Sequence, residues 1–285
     1  RCYNPVADRF EELSNDPSSK LLLGTTKAYS ACLDNDLLYI GVSGGYIIYN
    51  ILTKKAGFYE IKELKGKSVD RIMVAKNSDI WAANHEEFRI LRIDGKTGHT
   101  EVLDQLLIKD QDNVKSLANG MIEDEDHIIW IGTNLNSLLC YNPQSKTTLH
   151  YKYSISDKNS LLSNIIFSMY LGKDKKIWLG YDIGVNYVNQ QKKLFRIGYP
   201  FGETNPHTLT RGMEEDHEGN LWFTTGNGIS SYNIKTGQYR LWQNQPGKPD
   251  AIYFNSVRGI AEDRNHDIWV ATGKGVNRLN RATGS

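Results

Sequence analysis

The chain has 285 residues, and 34 Lys and Arg against 33 Asp and Glu leave a formal net charge of +1. That balance gives no electrostatic reason to expect nucleic acid or an anionic membrane surface as a partner. No apolar run approaches the ~20 residues of a membrane span and no signal peptide opens the sequence, so these residues are expected to make no membrane contact. The ends read as those of an excised piece. Cys2, Cys32 and Cys140 are too few and too scattered for a disulfide framework or a metal knuckle, and Cys32 and Cys140, in predicted strands, read as buried thiols.

Taken in order, Arg1-Cys2-Tyr3-Asn4-Pro5 matches the end of a third strand, as in Leu139-Cys140-Tyr141-Asn142-Pro143. Arg9 to Leu13 then matches an outer fourth strand, which makes 1–13 an orphan piece of a blade. A four-stranded unit follows six times, over about 27–62, 69–103, 117–153, 165–198, 208–242 and 256–285. Its second strand and turn read LLYIGVSGG, DIWAANHEE, IIWIGTNLN, KIWLGYDIG, NLWFTTGNG and DIWVATGKG. The aromatic anchors Tyr39, Trp81, Trp130, Trp178, Trp222 and Trp269 stand 42 to 49 residues apart, the period of a propeller blade. Asn and Gly at the turns supply positive φ, and β-branched or aromatic residues fill the runs. A meander apolar on both faces needs a neighbour on each side. Six copies therefore predict an all-β fold: one β-propeller of four-stranded antiparallel blades, with essentially no α-helix. The sixth unit stops after its third strand. Either the orphan outer strand completes it and closes the ring, or a further blade is missing.

Glu215-Asp216-His217-Glu218-Gly219-Asn220-Leu221-Trp222-Phe223-Thr224-Thr225, with Gly228-Ile229 and Tyr232-Asn233, resembles the two-component regulator propeller repeat. Asn159 to Ile166 resembles the lead-in to that repeat; Asp124 to Thr133 and Glu262 to Gly273 match almost as well. Blades one and two depart from it, with Tyr39 for Trp and Asn84-His85-Glu86-Glu87 for the Gly turn. The resemblance implies a periplasmic sensor propeller, in a family whose propellers usually have seven blades. It would be the ectodomain of an inner-membrane hybrid two-component receptor of Bacteroidetes, with a histidine kinase elsewhere in the full-length protein. It also implies an oligosaccharide ligand and a possible homodimer formed through the full-length receptor.

Other motifs read as structure. Gly41-Val42-Ser43-Gly44-Gly45 fits the G-x-S-x-G pattern, but a nucleophile elbow needs a helix after the turn and here a strand follows. Glu123 to His127 and Asp110 to Asn113 lack the Gly and Glu of an EF-hand loop. The seven histidines show no HExxH and no close pair, and His127, His217 and His266 recur near one hairpin that faces away from the presumed ligand side. No catalytic residue, metal or cofactor is expected. The mid-blade tryptophans read as core, and Trp242 as either a contact residue or rim packing.

Aligning first strands on their downstream turns puts Tyr29, Arg71, Asn119, Phe167, Arg211 and Arg258 at equivalent places. The next position holds Ser30, Ile72, Gly120, Ser168, Gly212 and Gly259, small residues suited to an innermost strand. Cations, an amide and aromatics near the axis suit a carboxylate- or sulfate-bearing sugar. The expected ligand site is therefore Arg71, Arg211, Arg258, Asn119 and Tyr29, with Tyr253, Phe254 and His207 from inter-blade loops bordering the rings. The plainer alternative is that each Arg pairs with a carboxylate between blades. The expected function is a ligand-binding sensor module without catalysis of its own. The rivals are a propeller enzyme acting on glycans or as a lyase, and a protein-binding scaffold.

Overall fold

The computed structural model describes residues 2–4, 9–11, 14–107, 116–157, 159–189, 194–198, 210–248 and 251–279. They gather into two compact units, Arg1–Glu123 and Asp124–Ser285. The six predicted blades are present as antiparallel meanders, each with its strands in chain order across the sheet. Blade one is Ser30–Asp34, Leu37–Val42, Gly45–Asn50 and Ala56–Glu60; blade two is Arg71–Val74, Ile80–Asn84, Arg89–Ile93 and Thr100–Val102. Blade three is Ala118–Glu123, Ile129–Thr133, Leu138–Asn142 and Thr147–Tyr151; blade four is Ser168–Leu171, Ile177–Gly180, Val185–Asn189 and Leu194–Gly198. Blade five is Met213–Glu215, Asn220–Thr225, Gly228–Asn233 and Tyr239–Trp242. Blade six has three strands among the described residues, Val257–Glu262, Ile268–Thr272 and Gly275–Leu279. Cys2–Asn4 pairs with Arg9–Glu11 in a separate two-stranded sheet.

Two devices recur at the turns of several blades. At the hairpin between first and second strands, Asp124, Asp216 and Asp263 accept from the indole N–H of Trp130, Trp222 and Trp269 at 2.7, 2.8 and 2.7 Å. The same carboxylates collect backbone N–H groups of the turn, so one Asp fixes both the hairpin and the Trp of its blade. Blade four has Gly172 in that place, and Trp178 Nε1 is buried with no hydrogen-bond partner among the described residues. Between third and fourth strands Asn50, Asp94, Asn142 and Asn233 close Asx turns on the two N–H groups that follow.

Successive blades bury their faces against one another. Tyr39, Tyr46, Ile61, Val69, Ile72 and Leu91 form one such layer between blades one and two. Trp178, Val185, Met213 and Phe223 form another between blades four and five, and Trp222, Ile229, Val257 and Val270 a third between blades five and six. Dispersion and burial therefore hold each sheet through its neighbours.

The expectation of essentially no α-helix fails at one place. Pro17–Thr25 is helical, and Leu22 and Leu23 pack on Ile40, Val42 and Ile47 of blade one. Its start follows from local chemistry: Asp16 caps it by accepting from Ser19 N at 2.9 Å, and Pro17 supplies a preset φ at the first turn. Ser19 Oγ accepts from Ala56 N at 2.8 Å and ties the helix to the outer strand.

Candidate functional site

Tyr29, Arg71 and Asn119 lie in the first unit, Phe167, Arg211 and Arg258 in the second. Backbone register corrects their alignment. Tyr29, Asp70, Phe167 and Arg211 donate their N–H to the carbonyl two residues beyond the blade's aromatic anchor, namely Gly41, Ala83, Gly180 and Thr224. Arg71 therefore stands one position later, level with Ser30 and Ser168, and a one-residue slip sends its side chain to the other sheet face. There Ser30 Oγ donates to Val69 O at 2.8 Å and Ser168 Oγ to Thr210 O at 2.9 Å, each reaching the chain that enters the next blade. Arg71 makes the same kind of tie. Its Nε donates to Asn119 O and its Nη1 to Asp70 O, both at 2.6 Å. Burial pulls its pKa below the ordinary value while Asp70 opposes the shift. Arg71 thus joins blades two and three through carbonyls rather than through a carboxylate.

The small residues at that level are less crowded than expected. A Cβ on Gly212 or Gly259 would meet its nearest neighbour at 3.2 or 3.6 Å. The close approach falls on the second strand instead, where a Cβ on Gly41 would overlap Val69 O and one on Gly180 would overlap Ser168 Oγ. Tyr29 is half-exposed, with Lys27 Nζ 4.7 Å from its ring centre and Ser43 Oγ 3.4 Å from its hydroxyl. Gly41 to Gly45 is a hairpin between two strands. His207 lies outside the described residues.

The second unit brings four of the expected residues onto blades five and six. Arg211 and Arg258 are both exposed, and Arg258 O would lie 3.6 Å from a Cβ on Gly212, so the two stand near the starts of adjacent first strands. Arg258 occupies a β-bulge, since Val257 pairs with Thr272 and Gly259 with Ala271. Such a bulge re-aims a side chain out of the ladder. Tyr253 and Phe254 are also exposed, on the loop entering blade six. That loop is held at several points. Asn244 N donates to Asn255 Oδ1 at 2.6 Å, Asn244 Nδ2 to Ile252 O at 2.8 Å, and Tyr253 N to Asn277 Oδ1 at 3.2 Å. Blade four repeats the clamp with Asn164 and Asn186, but carries Leu162 and Ser163 where blade six carries Tyr253 and Phe254. Lys274 Nζ sits 4.9 Å over the Phe254 ring and adds a third cation.

Trp242 is resolved as packing: its ring stacks on Trp222 with centroids 5.0 Å apart. A pocket of about 290 Å³ beside it is lined by Ile252, Lys248, Asn277 and Arg278, and none of Arg211, Arg258, Tyr253 and Phe254 lines it.

At the opposite ends of these strands the sequence reading missed a cluster. His217 and His266, from consecutive hairpins, stack with ring centroids 3.7 Å apart, and Nδ1 of each faces Glu262 Oε1. His217 N donates to Glu262 Oε2 at 2.9 Å. Burial, together with the nearby Glu262, holds the carboxyl of Glu214 above the usual carboxylate range, with Lys173 opposing. The available signal was the recurrence of histidine at one hairpin, although His217 and His266 stand at different positions of their turns, one and three residues after the turn Asp.

Residues 254–274 match the family model described as two component regulator propeller. No curated protein matches the chain. Among solved structures, the extracellular domain of a hybrid two component system from B. thetaiotaomicron aligns at TM-score 0.70 and 17% identity, over 88% of this chain and 32% of that one. A second such domain from B. thetaiotaomicron aligns at 0.68 and 21%, over 96% and 34%. The chain therefore spans about a third of the length of these relatives. Virginiamycin B lyase from Staphylococcus aureus aligns at 0.66 and 16%, over 90% of this chain and 81% of that one. This last likeness overturns the expectation of a module without catalysis, because the same fold serves a lyase. No helix among the described residues is long and apolar enough to cross a membrane. The chain has a propeller fold related to that of two-component regulator sensor domains.

Proposed function

We propose that the chain is an extracytoplasmic sensor propeller that recognises an anionic oligosaccharide on blades five and six and passes the signal to a kinase outside these residues. The observation that carries this reading is the exposed pair Arg211 and Arg258, one just ahead of the first strand of blade five and the other at a bulge in the first strand of blade six. Guanidinium groups hold carboxylate or sulfate through paired N–H donors, and exposed aromatic rings present flat faces to sugar C–H groups. Tyr253 and Phe254 stand on a loop whose backbone is already fixed by Asn244 and Asn277, so ordering on binding costs little. The extracellular placement of the related sensor domains supports the proposed location.

A glycan array together with thermal shifts on the soluble chain tests the reading. Binding is expected among uronate- or sulfate-bearing oligosaccharides and absent from their neutral counterparts. Each hit is also followed for product formation, since the fold is shared with lyases. A preference for neutral glycans would contradict the reading.

A further inference from the structure

We propose that His217, Glu262 and His266 form a binding site for a late first-row divalent metal ion, zinc in the first instance, that staples the first hairpins of blades five and six. The cluster is separate from the proposed sugar surface. It lies at the Asp216 and Asp263 hairpins, whereas Phe254 stands beside the Gly273 turn at the other end of the same sheet.

Three donor atoms, one from each residue, lie within 4.8 Å of one another. His266 Nδ1 is 3.4 Å from Glu262 Oε1. Two ligands bound tetrahedrally at zinc distances stand about 3.4 Å apart, so that edge already has the required length. His217 Nδ1 touches the same oxygen and must move back slightly to admit the ion.

The carboxylate is prepared for this role. Its other oxygen accepts from His217 N at 2.9 Å, which turns Oε1 toward both imidazoles. Glu262 is largely covered, at 13% side-chain exposure, while His217 and His266 remain open to solution at 38% and 53%. Glu218 Oε1, 4.0 Å from His217 Nε2, adds a second carboxylate at the rim.

The donor set selects the ion. Two imidazoles and one carboxylate match the three-ligand zinc sites that leave a fourth position for water, and they suit Zn, Ni or Cu better than oxygen-seeking Ca or Mg.

The test is calorimetric titration of the untagged chain with Zn²⁺ alone, alongside Ca²⁺ and Mg²⁺, with the thermal midpoint read in parallel. One Zn²⁺ per chain and a raised midpoint are expected, with no comparable response to Ca²⁺ or Mg²⁺. His266→Gly is the central variant, because blade five already carries Gly219 at the matching positive-φ position and the turn will keep its shape. It should weaken Zn²⁺ by more than the roughly 10–100-fold that loss of an outer-shell partner alone causes, and His217→Ala should do the same. Absence of Zn²⁺ binding by the parent chain, unchanged affinity in both variants, or Ca²⁺ binding as tight as Zn²⁺ would each overturn the proposal.

Discussion

At the scale of single residues, the blades are held by a few polar side chains that serve two purposes at once. Asp216 is fully buried and accepts from Trp222 Nε1, Asn220 Nδ2 and the backbone N–H groups of Glu218 and Asn220. Asp216→Ala leaves the Trp222 donor buried and unpaired, which should cost about 1–3 kcal/mol for that group alone; Asp216→Asn, which keeps an acceptor, should cost less. Urea midpoints of the two variants check the ordering. Trp222→Ala removes the ring itself and should cost about 3–5 kcal/mol, and an unchanged midpoint would show that Trp222 is not core. Asp16 gives a pH test. Hydrogen bonds from Ser18 and then Ser19 lower its pKa from 3.8 to about 2. A depressed carboxyl stabilises the fold above its unfolded pKa and loses that contribution as pH falls through the folded one. The difference in thermal midpoint between the parent and Asp16→Ala should therefore shrink between pH 4 and pH 2. A constant difference would mean that the cap charge does not matter.

At the scale of the element, the first strands divide into two classes by register. Ser30, Arg71 and Ser168 point toward the next blade and donate to its backbone, whereas Tyr29 and Arg211 lie one position earlier. Arg71→Ala should consequently lower stability by about 1.5–3 kcal/mol, the scale of charge-assisted hydrogen bonds, while leaving any glycan affinity unchanged. A lost affinity with an unchanged denaturation midpoint would reverse that assignment. This division was partly legible in the sequence. Blade two has Ala75 where blades three, five and six have the turn Asp, so alignment on the turns slipped by one. Counting from the tryptophan avoids the slip, because Arg71 and Gly212 each stand ten residues before theirs. The helix was signalled by Asp16-Pro17 ahead of Leu21-Leu22-Leu23, but nine residues give too little periodicity to outweigh a strand-rich context. The bulge at Arg258 and the meeting of His217 with His266 depend on packing between consecutive blades, which no local pattern encodes.

At the scale of the whole molecule, the six repeats determine the fold and the departures from the repeat mark candidate function. Periodic tryptophans, hairpin aspartates and turn asparagines recur because each blade must solve the same burial problem. Tyr253 and Phe254 do not recur; they replace Leu162 and Ser163 on an otherwise shared clamp, which is where a binding surface is free to specialise. Likeness to both sensor domains and a lyase means that the fold by itself does not choose between recognition and turnover. The most direct measurement is calorimetry of Arg211→Ala and Arg258→Ala against an anionic oligosaccharide found by the array, with circular dichroism confirming that both variants fold. The account predicts that each loses about 1.5–3 kcal/mol of binding with its denaturation midpoint intact. Parent-level affinity in both variants would contradict it.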